Sequence, residues 1–173
     1  MSYCTECGTK LEPKYLEQEG MIPWCDRCKE YRFPMFNAAI STIVYSPDKQ
    51  KILLIKQYGR DRNILVAGYI GKGEGAEHAL AREVMEEMGL RVTACAFNRS
   101  EYFEKSNTLM LNFASIVDSD SLDGMTPEVD SAAWYTPAEA RKAILHGSLA
   151  EKFLLHWLSK REYYDHAFDT YVF

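Results

Sequence analysis

Apolar and polar positions change period several times along this chain, and each change marks an element. The run Asn37-Ala-Ala-Ile-Ser-Thr-Ile-Val-Tyr45 is rich in β-branched residues, Ser46-Pro47-Asp48-Lys49 is turn chemistry, and Ile52-Leu-Leu-Ile55 is a short apolar run. Together they predict a hairpin. Ile64-Leu65-Val66 predicts a further strand leading directly into a glycine-rich loop that holds Gly68, Gly71, Gly73 and Gly75. From Ala76 the composition turns to strong helix formers, without proline or a β-branched run, until Gly89 supplies an αL residue. A helix of roughly three to four turns follows, with Ala76, Leu80 and Val84 as its apolar stripe.

Beyond it, Arg91 to Asn98 predicts a strand in which Cys95, between Ala94 and Ala96, is a small buried side chain. Leu109 to Val117 predicts a strand buried on both faces, Ser119 to Pro127 is an acidic polar loop, and Trp134-Tyr135 belongs to a last strand. Thr136-Pro137-Ala138-Glu139 is a capping box with proline at the first helical position, and Gly147 is expected to close that helix. Ser148 opens another in the same way, running to about Lys160 with Phe153, Leu154 and Trp157 on one face. The tail carries Tyr163, Tyr164, Phe168, Tyr171 and Phe173, expected to dock onto the domain or a second subunit. Strands alternating with helices give an α/β sandwich with mixed sheets flanked by helices.

Length and charge narrow the function. With 173 residues the chain holds one domain, or one domain plus a small module. The net charge of −5 and the lack of a basic tract disfavour nucleic acid held by a positive surface. No signal peptide is visible at Met1-Ser-Tyr-Cys4, and no window approaches the ~18 apolar residues of a spanning helix, so a cytoplasmic protein without membrane contact is expected.

Residues 1–33 form a separate module. Cys4-x2-Cys7 and Cys25-x2-Cys28 stand 17 residues apart, the spacing of a paired-knuckle zinc ribbon, and Gly8 suits the tight turn of the first knuckle. Four thiolates around one Zn²⁺ would staple a segment too short for its own core, and such a closed site is structural. Two disulfides are disfavoured in a reducing compartment; iron in place of zinc stays open. Residues 34–160 then form the main domain and 161–173 the aromatic tail.

On the central helix, Glu83, Glu86 and Glu87 stand at i, i+3 and i, i+4 and project from one side. Their repulsion calls for a positive partner, and a hard divalent cation such as Mg²⁺ or Mn²⁺ is the simplest one. An ordinary helix with a solvated glutamate face is the plainer alternative for such a charge run taken alone. Lys56, Arg60, Arg62 and Lys72 lie near the loop in sequence and are candidates for phosphate contact or for solvated surface.

The loop changes that weighting. Gly68, five residues, Glu74, seven residues, then Arg82-Glu83-Val84-Met85-Glu86-Glu87-Met88-Gly89-Leu90 resembles the signature of the Nudix hydrolases at every fixed position. The resemblance implies a loop-helix-loop that binds divalent metal and cleaves a diphosphate linked to a nucleoside. It implies that Glu83, Glu86 and Glu87 are metal ligands assisted by the carbonyl of Gly68, and that Glu74 and Arg82 form a structural ion pair. Glu128, shortly before Trp134-Tyr135, is by the same resemblance an extra ligand or base, Glu87 or Glu128 orienting the attacking water. A zinc ribbon, this box and a short C-terminal region are together similar to the NADH pyrophosphatase branch. That branch implies hydrolysis of NAD(H) to AMP and nicotinamide mononucleotide, removal of NAD caps from RNA, and a tendency to dimerise. The segment Ser100-Glu101-Tyr102-Phe103-Glu104-Lys105-Ser106 departs from that branch's serine-glutamine-proline-tryptophan array, keeping Ser100 and an aromatic at Phe103. Tyr102 or Phe103 is expected to stack on an adenine or nicotinamide ring. ADP-ribose, a nucleotide sugar or an oxidised nucleoside triphosphate are the alternative substrates, and a non-catalytic nucleotide-sensing module is the alternative class.

Overall fold

The computed structural model describes residues 3–160 and Phe168. The chain divides into two units between Phe36 and Asn37. In the first, β1 (Glu12–Leu16), β2 (Gly20–Cys25) and β3 (Glu30–Tyr31) form an antiparallel three-stranded sheet. Only Cys4 and Cys25 are buried among its described apolar residues, so this unit has almost no hydrophobic core.

The second unit is built on β4 (Asn37–Tyr45), whose apolar run has no alternation because both of its faces are covered. Ile40 and Val44 enter one core layer, while Ile43 and Tyr45 enter the other. β5 (Ile52–Lys56) follows the predicted turn, in which Lys49 takes a positive φ of 59°. It meets β4 only at Tyr45↔Ile52 and then diverges to a later strand. The vacated edge of β4 is taken by β6 (Val66–Tyr69), paired antiparallel with residues 39–42. Gly68 therefore lies within a strand, not in the loop, and Ile64, expected in the strand, makes a single bridge to Ile55.

α1 (Ala76–Met88) ends at Gly89, which has φ 66° and whose N–H bonds to the carbonyl of Met85. A side chain there would also lie 2.7 Å from the carbonyl oxygen of Gly124, so close approach as well as handedness requires glycine. β7 (Val92–Phe103) pairs with β8 (Thr108–Val117), which runs parallel to β4, and a single 3₁₀ turn at Glu104–Ser106 joins the two. Cys95 is buried. β9 (Ser131–Tyr135) closes the sheet beyond β5.

α2 (Pro137–Ala143) begins with the predicted capping box on Thr136 and Glu139, but it ends before extended Ile144. Gly147, at φ 71°, instead belongs to the turn before α3 (Leu149–Ser159), where its N–H bonds to the Glu151 carboxylate. Leu80, Val84 and Met88 of α1 pack on one sheet face, whereas Phe153, Leu154 and Trp157 of α3 pack on the other. The result is a three-layer α/β/α sandwich, each such fully buried side chain contributing about 1.5–3 kcal/mol. Of the aromatic tail, Phe168 packs edge-on to Tyr45 and Trp157, and Tyr163, Tyr164, Tyr171 and Phe173 lie outside the described residues. Among the described residues no helix is long and apolar enough to cross a membrane.

Candidate active site

Helix α1 is anchored by its apolar stripe, and that anchoring fixes which carboxylates turn inward. Glu83 and Glu87 line a cleft of about 600 Å³ together with Gly68, Arg82 and Glu128. Phe103, Met110 and Leu149 give the same cleft an apolar part. The Glu83 side chain is 14% exposed and Glu87 is 4% exposed, whereas the Glu86 side chain is 55% exposed and does not line the cleft. Successive helical residues are about 100° apart, so three glutamates on one side of a helix still reach different depths.

Arg82 joins them. Its Nε and Nη2 donate to the two Glu74 oxygens at 2.8 and 3.0 Å, Nη1 to Glu83 at 2.7 Å and to Glu86 at 2.9 Å, and Nη2 also to the Tyr69 carbonyl at 3.1 Å. Repulsion between the helix glutamates is thus relieved in part within the chain, where a divalent cation was the simplest partner expected. The Arg82 guanidinium, followed by the Gly71 amide, holds the Glu74 carboxyl down to about 2. A depressed carboxyl adds stability that is present above its ordinary 4.5 and is lost as pH falls toward 2. Glu74→Gln should therefore lower the melting temperature at pH 6 and above, and the difference from the parent should shrink steadily below pH 4.5. Melting curves across pH 3–7 check this; a pH-independent difference would contradict it.

Glu87 behaves oppositely. Burial, with the nearby Glu83, Glu128 and Glu86 charges, pushes its carboxyl up to about 7 against the opposing hydrogen bond from Gln57. The Gln57 Nε2 donates to Glu87 Oε1 at 2.8 Å, and the buried Oε2 has no hydrogen-bond partner among the described residues. The loop carrying Glu128 is tied to the end of α1 by the Thr126 N–H, which bonds to the Glu87 carbonyl at 3.0 Å.

Of the four residues expected at the substrate, Phe103 lines the cleft. Tyr102 is its neighbour on the strand, so it points to the opposite face and donates its hydroxyl to Asn107. Arg60 and Lys72 are exposed and do not line the cleft, and Lys56 pairs with Asp61. Gln57, Tyr58 and Tyr69 were not singled out by the sequence. Tyr58 and Tyr69 line the cleft, and Tyr58 holds a positive φ of 60°, rare for an aromatic residue.

A divalent cation fits these residues. The orphaned Glu87 Oε2 is a ligand atom already stripped of water, and carboxylate and carbonyl oxygens suit Mg²⁺ or Mn²⁺. Gly68 completes the cradle, because a Cβ there would lie 2.0 Å from Glu83 Cδ. Gly68→Ala should displace Glu83, weakening Mn²⁺ binding and turnover about 10–100-fold with little change in melting temperature. Titration with Mn²⁺ beside a melting curve checks both halves.

In the first unit the four thiols Cys4, Cys7, Cys25 and Cys28 have sulfurs within 4.8 Å of one another. Cys7 and Cys25 are 3.4 Å apart and Cys4 and Cys28 are 3.9 Å apart, so these are free thiols and not disulfides. Cys4-x2-Cys7 and Cys25-x2-Cys28 sit on matching turns. The Gly8 amide bonds to the Cys4 carbonyl and the Lys29 amide to the Cys25 carbonyl, with Gly8 and Lys29 both at positive φ. The Arg32 guanidinium beside Cys4 draws that thiol down to about 6, while Cys28, crowded first by Cys7 and then by burial and the other sulfurs, is pushed up to about 12. Soft sulfur donors at this spacing fit Zn²⁺, which would remove that competition by holding all four as thiolates.

Residues 35–157 match the NUDIX domain, and the chain belongs to that family. Over 136 residues it is 28% identical to the NAD-capped RNA hydrolase NudC of Vibrio cholerae and 32% identical to that of Shigella flexneri. Each alignment covers 77% of this chain but 48% and 51% of the relative, so the chain spans about half the length of the curated relatives it matches. A NUDIX hydrolase of Nitrosomonas europaea shares the fold with a TM-score of 0.69 over 98% of this chain and 97% of its own, at 19% identity.

Proposed function

We propose that this protein hydrolyses the diphosphate linkage of a nucleoside diphosphate derivative, with NAD(H), split into AMP and nicotinamide mononucleotide, as its preferred substrate. The observation that carries this reading is the pairing of Glu83 and Glu87, one with a buried orphan oxygen, at a cleft that also offers an apolar wall. Such a cleft suits a ligand with a charged centre and flat heteroaromatic ends. Similarity to the NudC hydrolases supports the NAD-linked choice, and Phe103, one of the two aromatic candidates, supplies a ring to stack on a base.

In this mechanism Glu83 and Glu87, with Glu86 at the rim and the Gly68 carbonyl beside them, would hold the cations. Bound Mg²⁺ or Mn²⁺ supplies relief of phosphate charge and a more acidic water. Glu87 or Glu128 orients the attacking water and accepts its proton. The water oxygen bonds to one phosphorus as that phosphorus parts from the bridging oxygen, leaving two monophosphates. Arg82, held by Glu74, keeps loop and helix in register throughout. Residues 1–33 serve as a structural zinc ribbon in this reading.

The test is an assay with Mg²⁺ or Mn²⁺ against NADH, NAD⁺, ADP-ribose, a nucleotide sugar, an oxidised nucleoside triphosphate and an NAD-capped RNA, with products identified by mass. AMP and reduced nicotinamide mononucleotide, formed fastest from NADH, are expected. A faster alternative substrate would overturn the NAD(H) preference and keep the hydrolase, and silence on all six would overturn both.

A further inference from the structure

Gln57 stands just beyond β5, 30 positions before Glu87, and is 6% exposed. Its backbone is pinned from two sides: the Asp130 N–H bonds to the Lys56 carbonyl at 2.8 Å, and the Arg60 N–H to the Gln57 carbonyl at 3.2 Å. The Gly59 N–H bonds to Asp130 Oδ2 at 2.7 Å, closing the loop onto the segment before β9. From this pinned backbone the buried side-chain amide donates to Glu87 Oε1 at 2.8 Å. Glu87 is itself held at its carbonyl by Thr126. These two hydrogen bonds favour one orientation of the carboxylate, in which its other oxygen has no hydrogen-bond partner among the described residues.

We propose that Gln57 is a positioning residue for Glu87, orienting the carboxylate so that Oε2 is presented as the ligand atom; this rests on the metal-dependent reading above. The residue type matters. An amide donates a hydrogen bond without a charge, so it orients the carboxylate and leaves its negative charge for a cation, whereas Lys or Arg here would neutralise it. The bland account is that Glu87 merely satisfies a buried amide, which otherwise would remain unpaired. The two differ in whether metal binding notices the change.

The experiment uses Gln57→Met, which keeps the length and removes the donor, and Gln57→Asn, which keeps the amide and withdraws it by one methylene. Mn²⁺ affinity is read by electron paramagnetic resonance on the full chain without substrate, and kcat and KM are read separately with NADH or whichever substrate the assay selects. Gln57→Met should bind Mn²⁺ about 10–100-fold more weakly and lose kcat by a similar factor, as outer-shell partners of metal ligands do. KM for substrate should change less than about threefold, since Gln57 does not line the cleft. Gln57→Asn should fall between the two. If Gln57→Met does not fold, Gln57→Asn decides alone. Unchanged Mn²⁺ affinity in the folded variants, with binding lost in Glu83→Gln, overturns the role of Gln57 and leaves the hydrolase reading intact. No Mn²⁺ binding by the parent protein overturns both.

Discussion

Glu87→Gln is expected to lower metal-dependent turnover about 10³-fold, equivalent to roughly 4 kcal/mol of transition-state stabilisation. The substitution keeps shape and the hydrogen bond to Gln57 within reach, but removes the charge from a side chain 4% exposed at the cleft wall. Misfolding is a rival cause of lost activity, and the pH dependence of stability separates the two. A carboxyl raised to about 7 in the folded protein, against an ordinary 4.5, is penalised when ionised. That penalty is absent below pH 4.5, grows through the interval and is complete above pH 7, so this residue destabilises the metal-free protein as pH rises. In chelator at pH 8, Glu87→Gln should therefore melt higher than the parent, by about 3 kcal/mol or roughly 6–12 °C, and at pH 4 the two should coincide. Added Mn²⁺ should stabilise the parent more than the variant. Steady-state rates with melting curves at both pH values make the check; full activity in a variant that melts as expected would remove Glu87 from the metal site.

Stripping the metal from the cysteine cluster is expected to unfold residues 3–36 altogether. The unit is shorter than the ~40 residues below which a domain usually needs staples. Its buried apolar residues are two of the four cysteines themselves. Free energy of zinc binding, about 10–16 kcal/mol in comparable four-ligand peptides, would then supply nearly all of its folding energy. Cys25→Ser, at a fully buried sulfur, should have the same effect as chelation. Elemental analysis should return about one zinc per chain before chelation, and limited proteolysis afterwards should cut within residues 3–36 while the larger unit persists. Resistance to protease in metal-free protein would show that the turns alone hold the unit. One iron per chain would keep the site and replace its ion.

Much of the architecture was legible because the local signals agree with one another. The helix over Ala76–Met88 follows from helix formers bounded by glycines, and the Thr136 capping box marks the start of α2 without ambiguity. Boundaries set by neighbours were not legible. β6 reaches Tyr69 through Gly68 because β4 offers a vacant edge there, which nothing in residues 64–69 announces. Gly147 reads as a helix stop, but α2 ends at Ala143, ahead of an extended Ile144 that buries its side chain in the core.

The sequence by itself determined the family's glutamate pattern, the four-cysteine spacing and the alternation that builds a sandwich, since each of these is a short-range regularity. Tertiary structure decided the rest of the site. Phe103 rather than Tyr102 enters the cleft because the β7–β8 register shifts between Phe97 and Arg99, and one extra residue flips every side chain beyond it to the other face. Glu83 and Glu87 rather than Glu86 are buried because depth around a helix depends on what packs against it, here β6 and the loop held by Thr126. Gln57 joins them from the loop just beyond β5, and a hydrogen bond between residues 30 positions apart has no signature in the local chemistry of either.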